Sequence, residues 1–96
     1  MLDVVKANIS NTGFNKNDFA TEMNVSPSLL YKKIKSLTDQ SPTDFIKTIR
    51  LNHSLELLKT QNYSVTEVSE MCGFTSVAYF STVFRKFFGK SPSDIL

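Results

Sequence analysis

A chain of 96 residues holds one domain with a modest core and leaves little room for an enzyme with a deep cleft. Hydrophobic residues at 41% exclude disorder, one cysteine excludes an internal disulfide or a cysteine zinc cluster, and no apolar run approaches the roughly 20 residues of a membrane span. The 11 Lys and Arg against 9 Asp and Glu give only +2, so a case for an anionic partner has to come from where the cations stand.

Leu2, Val5 and Ile9 recur at helical spacing and predict a first helix over the opening ten residues, ended by Asn11-Thr12-Gly13. Asn15, with Asp18 three residues on, reads as the cap of a short helix that turns Phe19, Ala20 and Met23 inward and closes at Asn24. Ser26-Pro27 opens the next helix, with Leu30, Ile34 and Leu37 as its buried stripe. Ser41-Pro42 opens a long helix to about residue 60, with Phe45, Ile46, Ile49, Leu51, Leu55 and Leu58 at helical intervals. Ser64-x-x-Glu67 is a capping box before Val65, Val68 and Met71, and Gly73 stops that helix. Ser76 caps a sixth helix with Phe80, Phe84 and Phe87 inward and Gly89 at its end; Phe88 falls off that stripe. Ser91-Pro92 starts a final turn. No strand-like alternation occurs, and the expected fold is all-α with about seven helices.

The chain repeats when slid on itself by about 50 residues. Asn15, Asp18 and Phe19 lie over Ser64, Glu67 and Val68; after one residue gained in the turn, Ser26, Leu30, Ile34 and Ser41-Pro42 lie over Ser76, Phe80, Phe84 and Ser91-Pro92. Each copy is a capped short helix, a tight turn and a longer amphipathic helix, the helix-turn-helix arrangement. One copy is a weak signal; two in tandem with matching caps are a stronger one. The reading is a single domain over 1–96, with a first homeodomain-like unit at about 15–38, a linker helix at about 42–60 and a second unit at about 64–88. Roughly 18 linker residues span about 27 Å, which with the width of the units brings the outer helices near one duplex turn apart, about 34 Å.

The outer faces carry the functional argument. In the third helix Ser28, Tyr31, Lys32 and Lys35 face away from the stripe and present two cations, a hydroxyl and a phenol. Such a face suits a major groove, with Lys32 offered to guanine or phosphate and Tyr31 to a base edge or backbone. In the sixth helix the equivalent face is Ala78, Ser81, Thr82 and Arg85, with Val77 at its leading edge. Val77 and Ala78 suit thymine methyls and Thr82 a base or phosphate; alternatively this helix only docks, touching backbone through Arg85, Lys86 and Lys90. The residues leave both readings open. His53 has no metal-ligand partners at useful spacing, Cys72 reads as a small core residue, and no catalytic constellation is present, so neither enzyme activity, metal nor cofactor is expected. The reading that competes with double-stranded DNA binding is a helical protein-interaction module.

The stretch Gly73-Phe74-x-Ser76-x-x-Tyr79-Phe80-Ser81-x-x-Phe84-Arg85-Lys86-x-x-Gly89-x-Ser91-Pro92, with Ile49-Arg50-Leu51 through Leu57-Leu58, resembles the signature of the AraC/XylS transcription regulators over nearly the whole chain. The resemblance implies two helix-turn-helix units in successive major grooves, with Ser28, Tyr31 and Lys32 reading from the first and Val77, Ala78 and Thr82 from the second. Many members carry Arg where this chain has Thr82, and Ser54 and Ser69 stand where Ala is common. Leu30-Tyr31-Lys32-Lys33-Ile34-Lys35, Leu37-Thr38-x-Gln40-Ser41-Pro42-x-x-Phe45-Ile46 and the Phe80-Ser81-Thr82 variant resemble the output domains of hybrid two-component regulators. That resemblance implies a cytoplasmic activator domain without a small-molecule pocket, whose partners are DNA, RNA polymerase and the other domains of a parent protein. The parent would be anchored in the inner membrane and would carry any histidine kinase activity outside this domain.

Overall fold

The computed structural model describes residues 1–96 as seven helices: α1 (Leu2–Ala7), α2 (Lys16–Glu22), α3 (Pro27–Thr38), α4 (Pro42–Lys59), α5 (Val65–Met71), α6 (Val77–Phe88) and α7 (Pro92–Ile95). The body measures 39 × 22 × 20 Å. Its helix starts are written into the sequence. The Asn15 side-chain oxygen accepts from the Asn17 and Asp18 N–H groups at 2.9 and 3.1 Å, while Asp18 accepts from the Asn15 N–H at 3.2 Å. Ser64 and Glu67 make the same reciprocal pair at 3.1 Å each. The hydroxyls of Ser26, Ser41 and Ser76 accept from the N–H groups of Leu29, Asp44 and Tyr79. Each cap satisfies a donor that the first turn of a helix leaves free. The repeat extends to the helix ends, where Asp39 (φ 61°) and Gly89 (φ 79°) close α3 and α6 in the left-handed conformation.

The apolar residues form two cores. Val5, Phe14, Phe19, Ala20, Leu30, Ile34, Ile46 and Ile49 make the first, and Leu51, Leu58, Val68, Cys72, Phe74, Phe80 and Phe84 the second. Helix α4 supplies both: Ile46 and Ile49 belong to the first unit, Leu51 and Leu58 to the second. It is the shared wall of two small cores.

Three expectations change. Helix α1 stops at Ala7, and it is Val4 and Val5 that reach the core while Leu2 stays exposed. Leu37 and Phe87, predicted inward, are 68% and 48% exposed. They occupy equivalent places in the two copies, and the reason is the same in both. A seven-residue spacing preserves angle but moves a side chain about 10 Å along the axis, and the bracing helices α2 and α5, seven residues each, end before that turn. In α6 the half-buried Phe88 covers the core end instead, its ring 4.5 Å from Phe84.

Candidate nucleic-acid interface

Ser28, Tyr31, Lys32 and Lys35 are all exposed on α3, as the helical spacing requires once Leu30 and Ile34 are buried. The structure separates the two lysines. The Lys35 ammonium lies 3.6 Å from the Asp39 carboxylate and donates to the Asp39 carbonyl at 3.2 Å, so it is held at the helix C-terminus. Lys32 makes no ion pair. The face therefore has an acid beside its last cation, and its free charge is Lys32. A second unpaired cation comes from outside α3: Lys16, the first residue of α2, lines the same open depression as Ser28, Tyr31 and Lys32. Sequence reasoning passed over Lys16, although its place after the Asn15 cap puts it at the exposed end of the bracing helix.

On α6, Ala78, Thr82, Arg85 and Lys86 are exposed and Val77 and Ser81 half-buried. The Thr82 hydroxyl donates to the Ala78 carbonyl at 3.0 Å, so its proton is spent within the helix and the oxygen faces outward as an acceptor. Arg85 and Lys86 form no ion pair. The second face is thus apolar and uncharged at its N-terminal end and cationic at its C-terminal end.

The residue that the sequence reading missed is Arg50. Between the two units an open cleft over α4 is lined by Thr12, Thr43, Lys47, Thr75 and Tyr79, with Arg50 in its wall. Arg50 is only 7% exposed and has no carboxylate partner. Its Nη2 donates to the carbonyls of Asn11 and Phe14 at 2.9 and 3.4 Å, just ahead of α2, and its Nη1 to those of Cys72 and Gly73 in the α5–α6 turn. Four carbonyl dipoles solvate the buried cation. Burial pulls the guanidinium below its ordinary value, opposed by charge interaction with Cys72; the same burial pushes the Cys72 thiol up to about 12, opposed by Arg50. A signal for Arg50 existed: Ile46, Arg50, Ser54 and Leu58 recur every four residues on α4, and all four are buried. His53 is half-buried on the same helix.

The model of a family described as a helix-turn-helix domain matches residues 19–96. Histidine kinase P4 of Formosa agariphila is 38% identical over 91 residues, covering 95% of this chain and 7% of the kinase. A transcriptional regulator from Chromobacterium violaceum, described as containing an AraC-type DNA-binding domain, superposes with a TM-score of 0.90 at 26% identity, over 98% of this chain and 83% of that one. The DNA-binding domain of AdpA, a global transcriptional factor solved in complex with a target DNA, gives 0.84 at 30% identity, over 97% and 86%. The chain spans less than a third of the length of the curated relatives it matches.

Proposed function

The chain belongs to the AraC/XylS-type helix-turn-helix family, and on that premise we propose that it binds double-stranded DNA in a sequence-specific way, with α3 and α6 in successive major grooves, to regulate transcription. The observation that carries this reading is the pair of exposed recognition faces borne by one 39 Å body, a length of the order of one duplex turn, about 34 Å. AdpA supports it as a relative bound to its target DNA.

In the first unit Lys32 contacts guanine or phosphate, Tyr31 and Ser28 a base edge or backbone, Lys35 the phosphate rim, and Lys16 adds a phosphate contact beside Lys32. In the second, Val77 and Ala78 pack on thymine methyls and the Thr82 oxygen accepts from a base amine. Arg85 and Lys86 hold the backbone. Base reading and docking are then shared along one helix rather than being alternatives.

The likeness to a histidine kinase of which this chain spans 7% supports the further reading that this is the output module of a hybrid two-component activator. Kinase chemistry would stay in other domains, the sensor would be held in the inner membrane, and this domain would work in the cytoplasm beside RNA polymerase.

Selection of duplexes from a random pool, followed by titration of the best one over a salt series, tests the proposal. A protein neutralising Z phosphates loses affinity with a slope near −0.9Z in log salt. A domain that enriches no duplex and shows no salt-dependent binding is a protein-interaction module instead.

A further inference from the structure

We propose that Arg50 locks the two helix-turn-helix units into one fixed phase and thereby sets the half-site spacing that the domain accepts; the inference rests on the DNA-binding reading above.

The argument starts from what else joins the units. Both pack on α4, but through apolar cores, and apolar contact is non-directional. Each core holds its own unit to the helix, and the two cores share no residue. Hydrogen bonds do fix direction. Every other side-chain hydrogen bond in the protein joins residues no more than eight apart, whereas those of Arg50 reach 22 and 23 residues forward and 36 and 39 back. They are the only ones that tie both units to a common point.

The donor suits the task. A guanidinium is planar and presents its N–H groups in a rigid fork, so moving one pair of carbonyls relative to the other breaks a bond at one end. The site is closed on its far side by Gly73, beside which the Ile9 carbonyl of the first unit also lies. The two units therefore meet at a backbone-to-backbone contact with Arg50 bonded to both. Because the cation is buried without a carboxylate, it cannot give up these carbonyls without exposing itself to water. The relative position of the units is in this way a two-ended, all-or-none contact.

On DNA the consequence is metric. A shift of one base pair moves a half-site by about 3.4 Å along the duplex and turns it by about 35°. A rigid pair of readers tolerates neither; a loosened pair absorbs both.

The test uses two half-sites obtained by selection, joined at spacings from about 8 to 13 base pairs around one turn, with single half-sites as controls. The wild-type domain is compared with Arg50→Met, which keeps the apolar stem and removes the donors, and Arg50→Lys. Circular dichroism and melting confirm that each variant is folded before binding is read. The wild type is expected to favour its best spacing over neighbouring ones by about tenfold, since both units engage only when geometry allows. Arg50→Met should flatten that preference to about threefold or less, with half-site affinity within about twofold. An unchanged sharp profile, or an equal loss on half-sites and full sites, overturns the proposal while leaving DNA binding intact. Absence of wild-type binding to every duplex sinks the DNA reading, and this one with it. Should neither variant fold, residual dipolar couplings on the wild type decide: one alignment tensor must fit the amides of α2–α3 and α5–α6 together, and two different tensors refute a fixed phase.

Discussion

The guanidinium of Arg50 fills the space that the first side-chain carbon of residue 73 would need, so Gly73 is where it is for two reasons at once: its φ of 81° and that neighbour. The repeat separates them. Asn24 holds the equivalent turn of the first unit at φ 59°, because a left-handed backbone tolerates Asn. No arginine donates to the carbonyls of that turn, whereas Arg50 donates to those of Cys72 and Gly73.

Gly73→Asn should therefore cost about 3 kcal/mol, since the backbone accepts Asn while the overpacked side chain displaces Arg50 from its carbonyls. Gly89→Asn is the control: the same positive φ with open space around it, and an expected cost below about 1 kcal/mol. Urea denaturation compares them, and equal losses would mean that Arg50 does not constrain position 73.

Lys32→Ala should weaken the selected duplex by about 1–3 kcal/mol if Lys32 reads a base, and less if it meets only phosphate. Lys35→Ala should weaken it less, because Asp39 already competes for that ammonium. Neither melting curve should move much, exposed changes being worth about 0.5 kcal/mol or less. Unaltered affinity removes Lys32 from the interface.

Phe84 is fully buried between Phe80 and Phe88, with ring centres 5.6 and 4.5 Å away. Phe84→Ala should cost about 3–5 kcal/mol, a large share of a small domain's stability. Phe87→Ala, at a half-exposed ring, should cost about 1 kcal/mol, mostly its edge contact with Phe88. Thermal melts that rank the pair the other way contradict the packing described for α6.

Ser69 is buried and its hydroxyl lacks a partner; Ala20 holds the equivalent position in the first unit. Ser69→Ala should raise stability by about 1 kcal/mol by removing an unmatched polar group and improving helix propensity. A lower melting temperature would reveal a partner for that hydroxyl.

The Cys72 thiol, raised from an ordinary 9.0 to about 12 by burial, should resist alkylating reagents in the folded state and react only as the chain opens. Above pH 9 the unfolded thiol ionises while the folded one stays protonated, so this group's contribution, complete below pH 9, is lost progressively toward pH 12. Cys72→Ala should remove that component from the alkaline stability profile. Rapid native labelling near pH 8 would contradict the burial.

How much was legible follows the range of each interaction. Asn15 with Asp18 and Ser64 with Glu67 are capping pairs three residues apart, so the helix starts and the repeat could be read directly. The exposure of Ser28, Tyr31, Lys32, Ala78 and Thr82 followed from helical angle, because angle is a local property. The Lys35–Asp39 pair is also local, four residues apart, but it depends on the left-handed turn at Asp39 that brings the chain back. Lys16 joined the first face only when the start of α2 came to lie beside α3.

By itself the sequence determined an all-helical chain of about seven helices, their caps, their two-fold repetition and the exposed outer faces, because all of these rest on hydrogen bonds and side-chain angles within about one helical turn. The tertiary structure alone decided depth and phase. Leu37 and Phe87 stand exposed because the bracing helices α2 and α5 end before the last turns of α3 and α6, and angle cannot report how far a neighbouring helix reaches. Arg50 became a buried tether because carbonyls 39 residues behind it and 23 ahead converge on one guanidinium, a meeting of distant backbone of which the four-residue spacing on α4 signals only the burial.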